Sequence, residues 1–204
     1  MYQLVGKIKA AVYVANKKLE IIEISAEIIH SKGYEKTSIQ DILQAAQIGK
    51  GQFYYYFSCK QDLGIEVVDY CFEKWNNRVV KGIFESENTP EIKIKKMLDC
   101  AIDVHQKNGS KCGCFFGNLA IELSEHSDVF RERINRVFET WIHHLTIILD
   151  ARMHEKTLPI QCDSYILAQA IVALIEGGIM LMKNRQDIEP LINVSSVVKK
   201  MVGI

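Results

Sequence analysis

Residues 49–57, GKGQFYYYF, crowd polar and aromatic side chains into one short segment. On a helix, one face of this segment would present Lys50, Gly51, Gln52, Tyr54 and Tyr55. Gln52 can form two hydrogen bonds to adenine, and Lys50 can reach guanine or a phosphate. Gly51 would let the backbone approach DNA closely, and tyrosine hydroxyls can donate to phosphate oxygens. This combination suits the major groove of DNA.

A small apolar core must hold this face outward. Phe53 and Phe57 lie four residues apart, so both fall on the other side of the same helix. An earlier helix is predicted from about residue 17 to residue 31, where Gly33 stops it. Its inner face would be Ile21, Ile22, Ser25, Ile28 and Ile29. These residues predict a compact helical domain over residues 17–60.

Two short helices joined by a tight turn complete that domain. Ser38, with Asp41 three residues later, forms a capping box that opens the first of them. That helix would bury Ile39, Ile42, Leu43 and Ala46. In the turn Gln47-Ile48-Gly49, Ile48 fills the core and Gly49 supplies backbone angles that other residues resist. Two helices joined in this way form a helix-turn-helix.

Residues 32–63, KGYEKTSIQDILQAAQIGKGQFYYYFSCKQDL, resemble the DNA-binding domain of TetR-type transcriptional repressors. The family pattern is Gly-Tyr, Thr-Ser or Thr-Thr, an Ala-Ala-Gly-Val turn, Ser-Lys-Gly-Thr-Phe-Tyr-His-Tyr-Phe and a lysine. The matching places are Gly33-Tyr34, Thr37-Ser38, Ala45 to Ile48, Gly49 to Phe57 and Lys60. The chain departs from the pattern at Gly49 for serine, Gln52 for threonine and Tyr55 for histidine. Because the last two are readout positions, no relative's operator sequence is carried over.

The resemblance implies a role for each matching residue. Three residues match positions that usually contact phosphates: Thr37, Tyr54 and Lys60. Four residues match positions that contact bases: Lys50, Gly51, Gln52 and Tyr55. Tyr56 matches a position that serves partly the core and partly the contact with the DNA backbone. The family further implies an all-α homodimer that represses transcription by binding a palindromic double-stranded DNA operator and is released by a small-molecule effector.

Composition and charge exclude several other classes of protein. The 204 residues carry 25 basic and 25 acidic side chains, and 48% are hydrophobic, which excludes a disordered chain and a wholly basic coat protein. Residues 1–60 hold eight lysines and five acids, a surplus that favours a polyanionic partner. The sequence has no P-loop, GxGxxG, GxSxG or HExxH motif, so we expect no enzyme, catalytic residue, metal site or cofactor. With no membrane-spanning run or signal peptide evident, we expect a cytoplasmic protein with reduced cysteines.

Helices are also predicted through residues 61–204, the expected ligand-binding and dimerisation domain. They include one at about 60–84 and a long one at about 128–152. His105 falls on an apolar face, as either a core histidine with one hydrogen-bond partner or a polar anchor in a ligand pocket. The candidate ligand-binding residues are His105, Phe115, Asn118 and Trp141. Residues 113–130, GCFFGNLAIELSEHSDVF, resemble a stretch found in one branch of the family.

The last two predicted helices point to self-association. Residues 168–182, AQAIVALIEGGIMLM, are apolar on every side, so a helix there in a soluble protein must be packed against other helices on both sides. Gly177-Gly178 costs about 1 kcal/mol per glycine inside a helix, which close helix approach would explain. We therefore predict a homodimer through helices at about 163–183 and 190–202. TetR-type proteins also dimerise through their last helices.

Cys112 and Cys114 offer an alternative means of switching the same scaffold. They lie where a loop meets a helix, and a helix N-terminus and neighbouring Lys111 both lower a thiol pKa. Oxidation or an electrophile would then replace the small ligand. The cysteines can equally be small buried apolar residues or ligands of a soft metal. His143 and His144 are adjacent, so on a helix their side chains diverge and suit one ion poorly.

Residues 1–16 precede the part that resembles the family, and their role is open. Lys7 and Lys9 could form an arm that reaches a phosphate or the minor groove. A loose tail is the alternative.

Overall fold

The computed structural model describes residues 2–155 and 157–204, with side chains from Asn16 onward. Every element in these ranges is helical, which confirms the all-α fold class. The chain forms two compact units, one that ends at Cys71 and one that begins at Phe72. The division proposed from the sequence, after residue 60, falls at the start of the helix Lys60–Trp75.

The first unit contains α1 (Tyr2–Lys32), α2 (Ile39–Ala45), α3 (Lys50–Tyr56) and most of α4 (Lys60–Trp75). Helix α1 begins well before the predicted start near residue 17. It ends where Gly33 takes a φ of 91° and its N–H donates to the Ile29 carbonyl at 2.8 Å. The side chains of Lys7 and Lys9, the predicted arm, lie outside the described residues. The buried core includes Ile21, Ile22, Ile29, Ile42, Leu43, Phe53, Phe57 and Leu63.

The second unit contains the remaining helices of the described chain. They are a π-helical segment (Asn76–Phe84), α5 (Pro90–Lys107), α6 (Phe115–Leu123), α7 (Asp128–His154), α8 (Ser164–Arg185) and α9 (Glu189–Met201). The single α-helix predicted at about 60–84 was therefore wrong in its second half. A π-helix keeps the apolar periodicity only approximately, and Val79, Val80, Ile83 and Phe84 all remain buried.

Helix α8 packs between α7 and α9. One apolar face of α7 is buried and only Phe138 on it is partly exposed; its buried residues are Phe130, Ile134, Val137, Trp141, Leu145 and Ile148. Gly178 explains one half of the glycine pair, because a Cβ there would lie 3.0 Å from a methyl carbon of Val194 on α9. A Cβ at Gly177 would meet no atom within 4 Å in the described chain. Close approach of α8 and α9 therefore requires glycine only at residue 178.

Within the described chain, α8 is the helix that is long and apolar enough to cross a membrane by length and composition. Core helices of soluble proteins pass the same test. Nearly half of the apolar window is buried against the rest of the second unit. This helix is therefore weak evidence for a membrane.

Candidate nucleic-acid interface

Helix α3 has one buried side and one exposed side. Phe53 and Phe57 are 0% and 1% exposed, and their ring centroids lie 5.6 Å apart. Tyr54 and Tyr55 are 55% and 70% exposed, and Lys50 and Gly51 are exposed beside them. Large apolar rings are rarely left in water without a purpose when they occur as a contiguous patch. The predicted division of α3 into a core face and an outer face is confirmed.

The turn before α3 is built differently from the prediction. Gln47, with a φ of 52°, is the residue in the left-handed region. Gly49 has a φ of −84° and a ψ of 162°, angles that any residue adopts, so the prediction for Gly49 was wrong. Ile48 is buried as predicted, and its N–H donates to the Leu43 carbonyl at 3.0 Å. The chain reverses at Gln47 because α2 ends one residue earlier, at its C-cap Ala46.

The capping box that opens α2 is present. The Ser38 N–H and hydroxyl donate to Asp41 Oδ2 at 2.8 and 2.7 Å, and the Asp41 N–H donates to Ser38 Oγ at 3.1 Å. Lys32 Nζ lies 2.9 Å from the same carboxylate oxygen. The Ser38 backbone bond, then Lys32 and the Ser38 hydroxyl, lower the pKa of Asp41 to about 2. This carboxylate therefore ties the end of α1 to the start of α2.

Lysines of the first unit divide into paired and unpaired groups. Lys17 lies 2.8 Å from Glu20, Lys18 lies 2.5 Å from Glu66, and Lys32 is held by Asp41. Lys36 and Lys50 are exposed and have no carboxylate partner among the described residues. An unpaired ammonium can bind a phosphate without first breaking an ion pair. Lys50 therefore adds positive charge to the exposed face of α3.

Lys60, a predicted phosphate ligand, begins α4. Its ammonium lies 4.3 Å from the centre of the Tyr34 ring and donates to the Glu35 carbonyl at 3.3 Å. Burial, followed by Glu35 and Cys59, raises the pKa of Tyr34 to about 12. The neutral ring therefore gives the lysine a cation–π contact. Lys60 is half-buried, so its head group is oriented by Tyr34 and Glu35.

Thr37, for which the resemblance implies a phosphate contact, has a buried side chain. It is 0% exposed, and its hydroxyl donates to the Gly33 carbonyl at 2.6 Å. This geometry does not support a phosphate contact from its side chain, which instead fixes the segment between α1 and α2. Gln52 and Tyr56 are half-buried, and the Tyr56 ring meets the Tyr55 ring at 4.9 Å.

The candidate ligand-binding residues fall into two groups in the second unit. His105 is buried, and its Nδ1 lies 3.3 Å from the Cys112 carbonyl, which fits the interpretation of a core histidine. Asn118 accepts a hydrogen bond from Lys183 of α8 at 3.2 Å. The Phe115 ring meets the Phe116 ring at 5.3 Å. These residues therefore surround the loop before α6 and its first turn.

Trp141 belongs to the second group. Its indole N–H donates to Met97 Sδ at 3.2 Å, and its ring lies 6.0 Å from that of Trp75. Its described side-chain partners lie on α4 and α5, whereas the partner of Asn118 lies on α8.

Glu176 was not among the predicted site residues, yet it lies against the start of α6. Desolvation by burial raises its pKa, and the Cys114 thiol forms a hydrogen bond with its carboxyl group. Burial, followed by the charge of Glu176, raises the pKa of Cys114 well above its ordinary value. The prediction that the helix N-terminus lowers the pKa of this thiol was therefore wrong. A single acid within the apolar run 168–182 was the sequence signal for Glu176.

The histidine pair does not form a shared ligand set. The His143 and His144 rings lie 5.5 Å apart at 72°, and His144 stacks on Phe84 at 5.9 Å. Burial, followed by His143, lowers the pKa of His144. In the described part of the chain, no group of three or more histidine, cysteine or acidic residues could hold a metal ion.

Two family models match the chain. Residues 21–67 match the model described as bacterial regulatory proteins, tetR family. Residues 90–197 match the model described as transcriptional regulator LmrA/YxaF-like, C-terminal domain. The first match contains α2 and α3 complete, and the second extends from the start of α5 into α9.

Relatives and solved structures cover nearly the whole chain. An HTH-type transcriptional regulator in the lacX 3' region of Lactococcus lactis is 34% identical over 86% of this chain and 88% of its own length. The HTH-type transcriptional repressor DhaR of a Mycobacterium species is 28% identical over 84% of each chain. The crystal structure of a regulatory protein TetR from Rhodobacter sphaeroides has a TM-score of 0.81 at 26% identity and covers 90% and 97% of the two chains.

Reduced NemR of Escherichia coli shares the fold, with a TM-score of 0.80 at 19% identity. That structure covers 91% of this chain and 97% of its own.

Proposed function

The chain belongs to the TetR family of bacterial transcriptional regulators, and we propose that it is an effector-released repressor that binds a palindromic operator as a homodimer. Proteins of this family bind DNA operators and are typically dimers with small-molecule effectors. Such regulators are typically cytoplasmic and are generally not enzymes. The same location and lack of catalytic activity are proposed here.

The exposed face of α3 carries the proposal. Phe53 and Phe57 anchor one side of this helix in the core, so Lys50, Gly51 and Tyr55 remain available to a groove. We assign base contacts to Lys50, Gly51, Gln52 and Tyr55, and phosphate contacts to Tyr54 and Lys60. Tyr56 supports Tyr55 through ring contact and reaches the DNA backbone with its hydroxyl.

Dimerisation through α8 and α9 is supported by apolar residues that the protomer leaves exposed. Ile166, Met180 and Leu181 of α8 are 57%, 60% and 44% exposed, and Val197 of α9 is 50% exposed. Gly177 has open space above its backbone on the same helix. Covering this face with its symmetry copy would bury all of these residues at one two-fold interface. Two copies of α3 would then read two half-sites about one helical turn apart, or a multiple of that distance.

Repression is inferred from the names of two relatives. Release by an effector is inferred from the family, and the candidate binding residues lie in the second unit. DhaR of Mycobacterium and NemR of Escherichia coli are both named transcriptional repressors. An effector that binds the released conformation about 100-fold more tightly shifts the equilibrium by about 2.7 kcal/mol. We assign its binding to the second unit, where His105, Phe115 and Asn118 surround the start of α6.

Switching by a thiol is the second candidate, and the raised pKa of Cys114 argues against that residue as the reactive thiol. The raised pKa of Cys114 disfavours the thiolate that reacts with oxidants and electrophiles. Cys112 and Cys114 are both partly exposed, so the raised pKa of Cys114 leaves Cys112 as the better reactive position. A Cys112→Ser variant that still loses DNA on treatment with an electrophile would exclude this candidate.

Capture of genomic DNA tests the proposed function. Sheared DNA from the source organism is bound to the purified full chain at near-physiological salt, and the retained fragments are sequenced. We expect a few palindromic sites near promoters, because base contacts make specific binding about 10³–10⁷-fold tighter than non-specific binding. Uniform retention of all fragments, or no retention, would contradict the proposal.

A further inference from the structure

Glu176 of α8 has a carboxylate oxygen with no partner in the described structure. Its Oε1 is buried from solvent and forms no hydrogen bond with any described group. The Cys114 thiol is a partner of the same carboxyl group, which leaves one oxygen still unsatisfied. A buried carboxylate without a full set of partners destabilises the fold. Buried polar groups in native proteins nearly always have a partner, so this oxygen is a candidate for binding one from outside the chain.

The start of α6 is shaped around this carboxylate. A Cβ atom at Gly117 would collide with Glu176 Oε2. One turn earlier, a Cβ atom at Gly113 would lie 2.8 Å from Asn118 Oδ1 and 3.1 Å from Lys183 Cδ. Two glycines four residues apart therefore leave space for the two charged side chains that α8 directs at α6.

The neighbouring lysine does not neutralise Glu176. Lys183 Nζ is 3.2 Å from Asn118 Oδ1, to which it donates a hydrogen bond. Seven residues separate Lys183 from Glu176, which is two turns of α8, or about 10 Å along the helix axis. Ile175 and Ile179 beside Glu176 are buried and apolar. Glu176 thus combines an unsatisfied oxygen with apolar neighbours on the same helix.

We propose that Glu176 anchors the effector and that this effector is a small apolar molecule with a protonated amine. The ammonium N–H would donate to Oε1 while the apolar part packs beside Ile175 and Ile179. A cation is favoured over a neutral donor because a charge-assisted hydrogen bond is roughly twice as strong as a neutral one. The inference rests on the proposed effector-released function, since it names the chemical class of that effector.

Matched amines and alcohols test this site on the purified full chain without DNA. Isothermal titration compares phenethylamine with phenethyl alcohol and hexylamine with hexanol at neutral pH. We expect each amine to bind more tightly than its alcohol. Glu176→Gln should weaken amine binding about 100-fold, the loss typical of removing one partner of a buried charge pair. Glu132→Gln, which removes the charge of an exposed carboxylate on α7, serves as the control and should leave the affinity unchanged.

Three results would overturn the proposal: equal binding of amine and alcohol, unchanged amine affinity in Glu176→Gln, or no binding of any amine. If Glu176→Gln fails to fold, the comparison of amines with alcohols on the natural chain decides alone. Retention of the captured operator DNA is measured separately. Amine binding through Glu176 without DNA release would support the site and contradict effector release. Absence of operator retention before any amine is added would contradict DNA binding and leave the titration valid.

Discussion

Lys50 is exposed and has no carboxylate partner in the described chain, so its ammonium is available to DNA. Lys50 can neutralise a phosphate while it reaches a base edge, so we predict that Lys50→Gln reduces the magnitude of the slope of log affinity against log salt by about 0.9, because one fewer counterion is released. Fluorescence anisotropy measures the affinity for a DNA fragment at several salt concentrations, and these affinities give the slope.

Lys95→Gln is the matched control, because it removes the same charge from an exposed position on α5 in the second unit. An equal change of slope in both variants would show that Lys50 acts only through the net charge.

Single residues show where the sequence was and was not sufficient. The spacing of Phe53 and Phe57 was enough to predict which side of α3 is buried. The motif at Thr37 did not reveal that its hydroxyl donates to the Gly33 carbonyl, because this contact depends on how the chain folds between α1 and α2. Glu176 was visible as one acid in an apolar run, but only packing against Gly117 shows that an oxygen is left unsatisfied.

The N-terminus of α2 depends on its capping box. Ser38→Ala removes the hydroxyl that accepts from Asp41 N–H, and we predict a loss of about 1 kcal/mol in the free energy of unfolding. The pKa of Asp41 is lowered in the folded state from an ordinary 3.8 to about 2. Its contribution is therefore complete above the unfolded pKa and is lost as pH falls from about 4 towards 2.

Urea unfolding of the natural chain and Asp41→Asn at several pH values checks this dependence. The natural chain should lose more stability than the variant across this window. Parallel loss in both proteins would mean that other carboxyl groups control the acid response.

The turn between α2 and α3 stores backbone strain at Gln47. A left-handed conformation costs a non-glycine residue about 1–2 kcal/mol, and glycine avoids this cost but loses about 0.5–1 kcal/mol in backbone entropy. We therefore predict that Gln47→Gly stabilises the chain by about 0.5–1 kcal/mol, as measured by urea unfolding. Gln44→Gly, a change inside α2 where no such strain exists, should destabilise it instead.

Helix boundaries were predicted well where chemistry marks them. The capping box fixed the start of α2, and Gly33 ended α1 at the predicted place. Periodicity could not distinguish the π-helical segment Asn76–Phe84 from a continued α-helix, because the buried residues recur at similar spacing. Nor could it place the left-handed residue of the turn, since Gln47 is not a residue type that marks such angles.

Self-association is the next level of organisation. Met180 on α8 is 60% exposed, and we predict that Met180→Glu raises the dimer dissociation constant at least about 100-fold, because an unpaired charge would be buried. Sedimentation equilibrium gives this constant. Ile121→Glu on α6 is the control, because Ile121 is even more exposed, at 84%, and lies outside α8 and α9.

A monomeric natural chain at micromolar concentration would contradict the interface on α8 and α9, as would equal weakening by both substitutions. The apolar character of residues 168–182 predicted that this helix needs two covers. The protomer supplies the first through α7 and α9. A second chain would supply the other cover, and the sign of it in the protomer is the set of apolar residues that α8 leaves exposed.

Specific recognition of a two-fold operator is the central claim, and Gln52 tests it most directly. Affinities of the natural chain, Gln52→Ala and the control Gln106→Ala are measured by anisotropy for the captured operator and for all its single base-pair changes. We predict that Gln52→Ala loses about 1–3 kcal/mol of discrimination at one base pair in each half-site, at symmetric positions, while Gln106→Ala keeps the natural profile. An unchanged ranking of the operators in Gln52→Ala would contradict base readout by this face of α3.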